Sequence, residues 1–159
     1  MQKHTTSKLH ERYIYGSQRD GEIPLFRTLL CHLTKETTYA ISNKDAYGKI
    51  FISTHWLKHL YDKRPAVDYD LIRNNIHTIV KYPDSIYRNR TKKRGQWIFR
   101  KKIHGSDIIT SLETLPTERP QYEIVTSFRI KEIYLRDYNL IWSWEDSASL
   151  RRNAFDANS

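Results

Sequence analysis

Cysteine is nearly absent from this sequence, and so is any long apolar run. Cys31 is the only cysteine among the 159 residues, which excludes an intrachain disulfide and a metal site built from several cysteines. No stretch of about 20 apolar residues is present, and the N-terminal residues lack the apolar segment of a secretory signal. We therefore expect a soluble, cytoplasmic protein that makes no contact with a membrane.

Acidic residues are too few to balance the basic ones. The chain has 27 Lys and Arg against 18 Asp and Glu, a formal charge of +9. Such a charge favours a polyanionic partner, nucleic acid before anionic membrane. With 38% hydrophobic residues the chain can form one modest core, so we expect a single domain. We divide it into an N-terminal extension with short strands (1–47), a core (48–140) and a C-terminal tail with an aromatic anchor (141–159).

Sequence motifs of several large enzyme classes are missing. The chain has no Gly-x-x-x-x-Gly-Lys loop, no Gly-x-Gly-x-x-Gly and no Gly-x-Ser-x-Gly, so kinase, nucleotide-cofactor and serine-hydrolase functions lack support. Residues 97–103 contain no acid, which argues against a nuclease site that holds metal ions through carboxylates. His55 and His59 have the i, i+4 spacing of a metal pair but no evident third ligand. We expect no cofactor and no metal.

The apolar pattern predicts two helices followed by four strands. The first helix begins at Ser53 and Thr54 and ends at Arg64, before a proline. The second begins near Asp68 and runs to Lys81, with apolar residues at helical spacing. β-rich segments follow at 85–90, 96–103, 107–112 and 121–130, and two earlier ones lie at 24–33 and 37–42. The predicted fold class is α+β, with two helices packed on an antiparallel sheet of about four strands.

Two histidines occupy successive turns of the first predicted helix. His55 and His59 share one side with Lys58 and Asp62, and we expect only the opposite, apolar side to be buried. Imidazole exchanges protons near neutral pH, so an exposed histidine on this stripe is suited to proton transfer. His59 is the stronger candidate, while His55 could be a solvent-facing residue without a role.

A strongly basic segment follows the second predicted helix. Between residues 88 and 102 there is no acid, and aromatic residues are interleaved. This composition is typical of phosphate contact, although the aromatic rings are better explained as core residues than as base-stacking platforms. The basic residues are Arg88, Arg90, Lys92, Lys93, Arg94, Arg100, Lys101 and Lys102.

Four short segments together resemble a known pattern: Ile50–Ile52, His59–Pro65, Tyr82–Ile86 and Val125–Phe128. This order is similar to the phage-associated branch of the barnase/EndoU/colicin/RelE-like nuclease superfamily. Those domains have a hydrophobic strand, a helix with His-Ile-x-x-Arg-His-Pro, a second helix ending in Asn-Pro-Asp, a strand meander and a final Ile-Thr-Ala-Phe-like strand. The resemblance covers about half of the chain. It departs from the pattern at Arg64, which stands where the family often has a second histidine.

The resemblance implies a metal-independent endoribonuclease of the toxin or effector type. His59 would take the proton of a ribose 2′-hydroxyl, which attacks the neighbouring phosphorus and leaves a 2′,3′-cyclic phosphate. Basic residues would stabilise the phosphorane, and a hydroxyl of the last strand would bind a nonbridging oxygen. The catalytic candidates are His55, His59, Arg64, Arg88, Lys101, Thr126 and Ser127. The candidates for RNA contact are Lys58, Arg90, Lys92, Lys93, Arg94, Arg100 and Lys102.

Two features of this expectation remain open at the level of sequence. Thr126 and Ser127 alternate along a strand, so only one of them can face the cleft. Because the second histidine is missing, two noncatalytic functions also stay open. The protein could be a basic nucleic-acid-binding protein, or a phage or toxin docking module that uses Trp142 and Trp144. The expected partners are RNA and, for a toxin, an acidic immunity protein or antitoxin that covers the basic cleft.

Overall fold

The described part of the chain folds into four α-helices and one seven-stranded sheet. A computed structural model describes residues 3–90, 95–130, 135 and 138–145. The helices are α1 (Lys3–Leu9), α2 (Lys35–Ser42), α3 (Thr54–Lys63) and α4 (Ala66–Lys81), and a π-helical turn, His10–Ile14, follows α1. The strands are β1 (Arg27–His32), β2 (Lys49–Ser53), β3 (Ser85–Arg88), β4 (Trp97–Ile103), β5 (Ser106–Thr114), β6 (Gln121–Ile130) and β7 (Asn139–Ser143).

The sheet is mixed, with strand order β1-β2-β6-β5-β4-β3-β7. The β2–β6 pair is parallel and the other five pairs are antiparallel. The prediction of two helices on about four antiparallel strands is therefore wrong. The four expected strands are present as the meander β3–β6, but β1, β2 and β7 extend it on both sides. The β-rich segment 24–33 and the hydrophobic strand at Ile50–Ile52 indicated β1 and β2, but not their place in the sheet, because pairing with a distant strand leaves no local pattern.

The second error concerns residues 37–42, which are β-rich in composition but lie in α2. Thr34 caps this helix by accepting a hydrogen bond from Thr37 N at 3.1 Å. Asn43 ends it in the left-handed conformation, with φ 59°. These two caps satisfy backbone groups that a strand would have paired with a neighbour, so local capping outweighs β propensity.

The core lies between the helices and one face of the sheet. Helix α4 buries Ile72, Ile76, Ile79 and Val80 against β1, β4, β5 and β6, as its apolar spacing predicted. Helix α3 buries Trp56, Leu57 and Leu60 in the same cluster. On the other face of the sheet, Ile98, Ile109 and Leu135 form a smaller cluster to which no described α-helical residue belongs.

The N-terminal part of the chain is packed into this core. Helix α1 lies on α4, and the π-helical turn lies on α3. Leu9 and Ile14 are buried in the main cluster, and β1 forms five residue pairs with β2. The segment expected to be an extension thus supplies an edge strand and part of the core. In the described residues, no helix has both the length and the apolar character needed to cross a bilayer.

Candidate active site

Helix α3 holds its two histidines on the exposed side of a firmly anchored helix. Ser53 caps the helix by accepting a hydrogen bond from Trp56 N at 3.1 Å. The buried Thr54 hydroxyl donates to Pro24 O at 2.7 Å and accepts from Phe26 N at 2.9 Å. These contacts fix the first turn of α3 against the chain before β1. His55 and His59 are both exposed, one turn apart.

Both histidines line a cleft of about 290 Å³ beside the start of β1, the end of β2 and residues 123–125 of β6. Its charged lining consists of Arg27 from β1 and Glu123 from β6. Arg27 Nε donates to Glu123 Oε1 and Nη2 donates to Oε2, both at 3.0 Å. Such a bidentate pair fixes the plane of the guanidinium group. The Glu123 side chain is only 11% exposed, whereas that of Arg27 is 50% exposed and faces solvent.

A second cleft, of about 580 Å³, adjoins the same histidines. It is lined by residues of the segment before β1, among them Glu22 and Ile23. His55 Nε2 lies 3.3 Å from the carbonyl oxygen of Ile23, which orients the imidazole ring. His55 and His59 therefore line two neighbouring surface depressions, and a chain-like substrate could contact both.

Lys58 does not lie on the exposed stripe. Its side chain is 6% exposed and its Nζ donates to Ser17 Oγ at 2.9 Å and Gln18 O at 2.6 Å. Asp62 is 8% exposed, and its Oδ1 lies 3.0 Å from Lys58 Nζ. That contact is an ion pair without hydrogen-bond alignment. The expectation that the whole polar stripe is exposed is wrong, because Lys58 and Asp62 are buried. Both residues border the second cleft, but Lys58 Nζ is held by Ser17, Gln18 and Asp62 and is not free to contact phosphate.

The hydroxyls of β6 lie on opposite faces, as strand alternation predicted. Ser127 is 2% exposed; its Oγ lies 3.3 Å from Trp56 Nε1, which donates to it, and 3.0 Å from Thr110 Oγ1. Thr126 Oγ1 lies 3.3 Å from Ser111 Oγ on the other face. Ser127 thus tethers α3 to the sheet, and neither hydroxyl lines the histidine clefts described above.

Arg64 follows the last residue of α3 and lies outside the two histidine clefts. Its Nε donates to Ser127 O at 3.3 Å and its guanidinium carbon lies 5.5 Å from the centre of the Phe128 ring. It lines a separate cleft together with Tyr61. The structure therefore does not bring Arg64 into the cleft that holds His55 and His59.

The basic residues of the β3–β4 region are distributed over both faces of the sheet. Arg100 pairs with Asp107 at 2.9 Å, and Lys101 pairs with Asp84 at 3.3 Å. Arg88 lies over the Trp97 ring, with 5.9 Å between its guanidinium carbon and the ring centre. Arg88, Arg90 and Lys102 are exposed, Arg90 donates to Asn139, and Lys92, Lys93 and Arg94 lie outside the described residues.

The exposed basic residues are far from the histidine cleft. Strand β3 is three strands away from β6, about 14 Å at the usual strand spacing, and β4, which carries Lys102, is two strands away, about 10 Å. Arg88, Arg90 and Lys102 can therefore attract or guide a polyanion, but they do not share the cleft of His55 and His59.

Sequence reasoning missed Arg27 and Glu123, the charged pair of the histidine cleft. The available signal was the position of Glu123 between Tyr122 and Ile124, an acid alternating with buried residues in a strand. Because side chains alternate along a strand, Glu123 faces the side of the sheet opposite to Tyr122 and Ile124, and a carboxylate with little exposure there needs a cationic partner. Its partner stands 96 positions earlier in the chain.

The remaining reactive groups do not form a competing site. Burial raises the pKa of the Cys31 thiol to about 12, so it stays protonated and is a poor nucleophile at neutral pH. Within the part of the chain that the structure describes, no three His, Cys, Asp or Glu side chains are grouped to hold a metal ion. A scan against protein-family models gives no match to this chain, and searches of curated proteins and of solved structures give none either.

Proposed function

We propose that the protein is a metal-independent endoribonuclease whose active site is the cleft of His55, His59, Arg27 and Glu123. One observation carries the proposal: two exposed histidines one helical turn apart share a small cleft with an arginine that a carboxylate holds in place. Two proton carriers and one fixed cation are the groups that cleavage by an internal hydroxyl requires.

The two histidines supply the proton transfers. His59 accepts the proton of a ribose 2′-hydroxyl as its oxygen bonds to the adjacent phosphorus. His55 donates a proton to the 5′-oxygen as the bond from phosphorus to that oxygen breaks. The products are a 2′,3′-cyclic phosphate and a 5′-hydroxyl end, so atoms and charge balance without a metal. His55 thereby takes the place of the second histidine that the family pattern has at the position of Arg64.

Arg27 supplies the positive charge that the phosphorane needs. Its guanidinium group is half-exposed, and five N–H donors leave several free after the two bonds to Glu123. The planar guanidinium group can donate hydrogen bonds to two phosphoryl oxygens at once, which a lysine ammonium group does not. Glu123 is a positioning residue in this scheme, because it fixes the plane of that guanidinium group before substrate arrives.

The test is cleavage of total RNA and of single-stranded DNA in excess EDTA, followed by analysis of the fragment ends. We expect RNA cleavage with cyclic-phosphate ends and no DNA cleavage, since DNA lacks the attacking hydroxyl. His59→Ala and His55→Ala should each lower the cleavage rate by about 100-fold or more, the usual contribution of a proton-transfer group. His32→Ala, which changes an exposed histidine outside the cleft, is the matched control and should keep full activity.

The arginine is tested by conservative replacement. Arg27→Lys keeps the positive charge but cannot donate two parallel hydrogen bonds. The catalytic rate should therefore fall while the folded state is retained. Arg129→Lys is the control, because Arg129 is similarly exposed at 43% and pairs with Asp68 at 2.8 Å outside the cleft. Salt-sensitive RNA binding without cleavage, unaffected by His59→Ala, would instead support the noncatalytic nucleic-acid-binding function.

A further inference from the structure

A cleft of about 540 Å³ is lined by Tyr15 and Arg19, which flank the loop residues Ser17 and Gln18 that bind Lys58. It is formed by the π-helical turn, the end of α3 and the start of α4. Its lining includes the carboxylate of Asp70, which pairs with Arg73 at 3.1 Å. Four aromatic rings and two cations also contribute: His10, Tyr15, Tyr61, Tyr69, Arg19 and Arg64. The volume is within the usual range of small-molecule sites, and the proposed active site uses none of these residues.

The rings form a series that runs from the core to solvent. Tyr69 is 4% exposed and meets the Tyr61 ring edge-on, with 5.4 Å between centres. The His10 ring lies 5.5 Å from Tyr69 and 6.0 Å from Tyr15. Tyr15, at 79% exposure, leaves most of its ring in water. The series is thus anchored at one end and open at the other, where a further planar ring could stack.

His10 is held in its neutral form at the centre of this series. Its Nδ1 lies 2.6 Å from the Tyr69 hydroxyl. Burial, and after it the charge of Arg73, lowers the pKa of His10, while burial raises the pKa of Tyr69. At neutral pH the imidazole is therefore uncharged, and one proton is shared in the hydrogen bond between its Nδ1 and the protonated Tyr69 hydroxyl. The ring presents an aromatic face without a charge of its own.

Positive charge is supplied at the edge of the same cleft. Arg19 is exposed and forms no ion pair with a residue that the structure describes. Arg64 uses Nε for Ser127 O, which leaves other N–H donors of its guanidinium group available. Aromatic faces beside unpaired arginines suit a ligand that joins a planar ring to an anion.

We propose that this cleft binds one unpaired nucleotide, with its base stacked on Tyr15 and His10 and its phosphate beside Arg19 and Arg64. This proposal rests on the proposed function in one respect: that function makes an RNA strand the source of the nucleotide. Arg64 follows His59 by five residues, about 7–8 Å along the axis of α3. A strand held here would thus pass close to the histidine clefts, and the cleft would select unpaired RNA.

The test is calorimetric titration with the four nucleoside 5′-monophosphates, with inorganic phosphate and uncharged nucleosides as separate probes. Tyr15→Ala should weaken nucleotide binding at least about fivefold, the lower end of what one stacked base contributes. Arg19→Gln should weaken binding of nucleotides but not of nucleosides. The matched controls are Tyr39→Ala, 58% exposed on α2, and the exposed Arg119→Gln; both should bind like wild type.

The outcomes separate this inference from the proposed function. His59→Ala should abolish cleavage and leave nucleotide binding unchanged. If wild type does not cleave RNA but Tyr15→Ala still weakens nucleotide binding, the nuclease proposal fails and the nucleotide site stands. No binding at about 10 mM nucleotide, equal binding by Tyr15→Ala, or equally tight binding of inorganic phosphate would each overturn the nucleotide site.

Discussion

Replacing Lys58 by alanine should destabilise the protein strongly, although a lysine on a polar helix stripe is usually replaced at little cost. The Lys58 and Asp62 side chains are 6% and 8% exposed, and their charged atoms lie 3.0 Å apart. Lys58 also holds the covering loop through Ser17 and Gln18. The variant leaves a buried carboxylate whose Oδ1 has no hydrogen-bond donor among the described residues.

The magnitude follows from this burial. Removing one partner of a buried ion pair costs about 3–5 kcal/mol, because the remaining charge stays buried without compensation. Solvent screening reduces this figure little when both side chains are less than a tenth exposed. We expect Lys58→Ala to lower the free energy of unfolding by about 3 kcal/mol or more. That is a large part of the roughly 5–15 kcal/mol of a typical domain.

The assay is urea unfolding followed by tryptophan fluorescence, with Lys58→Ala, Asp62→Asn and the double variant forming a cycle. The double variant should be more stable than the sum of the single losses predicts, since it leaves no unpaired charge. Lys63→Ala is the matched control on the same helix. Its ion pair with Asp20 is 3.2 Å long but 54% and 63% exposed, so its loss should change stability by less than about 1 kcal/mol.

One result would refute this reasoning. If Lys58→Ala costs less than about 1 kcal/mol and at the same time weakens RNA binding, then Lys58 is an exposed phosphate contact. Residues 17–18 would not cover it in solution, and the sequence-based expectation would be restored.

Three further predictions concern stability and reactivity. Burial lowers the pKa of both His10 and His77, so the unfolded chain binds protons first as pH falls below about 6.5. Unfolding free energy should decrease over that range, and less steeply in His10→Gln and His77→Gln, as measured by urea titrations at several pH values. Gly95→Ala should cost more than about 1 kcal/mol in the same assay, because φ is +95° and an added Cβ would lie 2.8 Å from Ser111; an unchanged midpoint would contradict this. The buried, protonated Cys31 should react with a thiol reagent only after unfolding, which mass spectrometry of native and urea-treated protein would show.

Local pattern was sufficient for the elements between residues 53 and 130. Ser53 and Pro65 bound α3, apolar spacing defines α4, and turn residues separate the four strands of the meander. Each of these signals acts within a few residues. They can therefore be recognised without knowing which distant segments pack against these elements.

The sequence by itself determined the basic charge, the meander with its two preceding helices, and the exposed histidine pair on α3. Only the tertiary structure decided that Arg27 reaches Glu123 across 96 positions and that Gln18 covers Lys58 across 40. The tertiary structure also decided the parallel pairing of β2 with β6, the two strands that contribute Ser53 and Glu123 to the cleft of His59. Periodicity tells which face of an element is buried, but not which distant segment buries it, because that choice depends on how all the packed surfaces fit together.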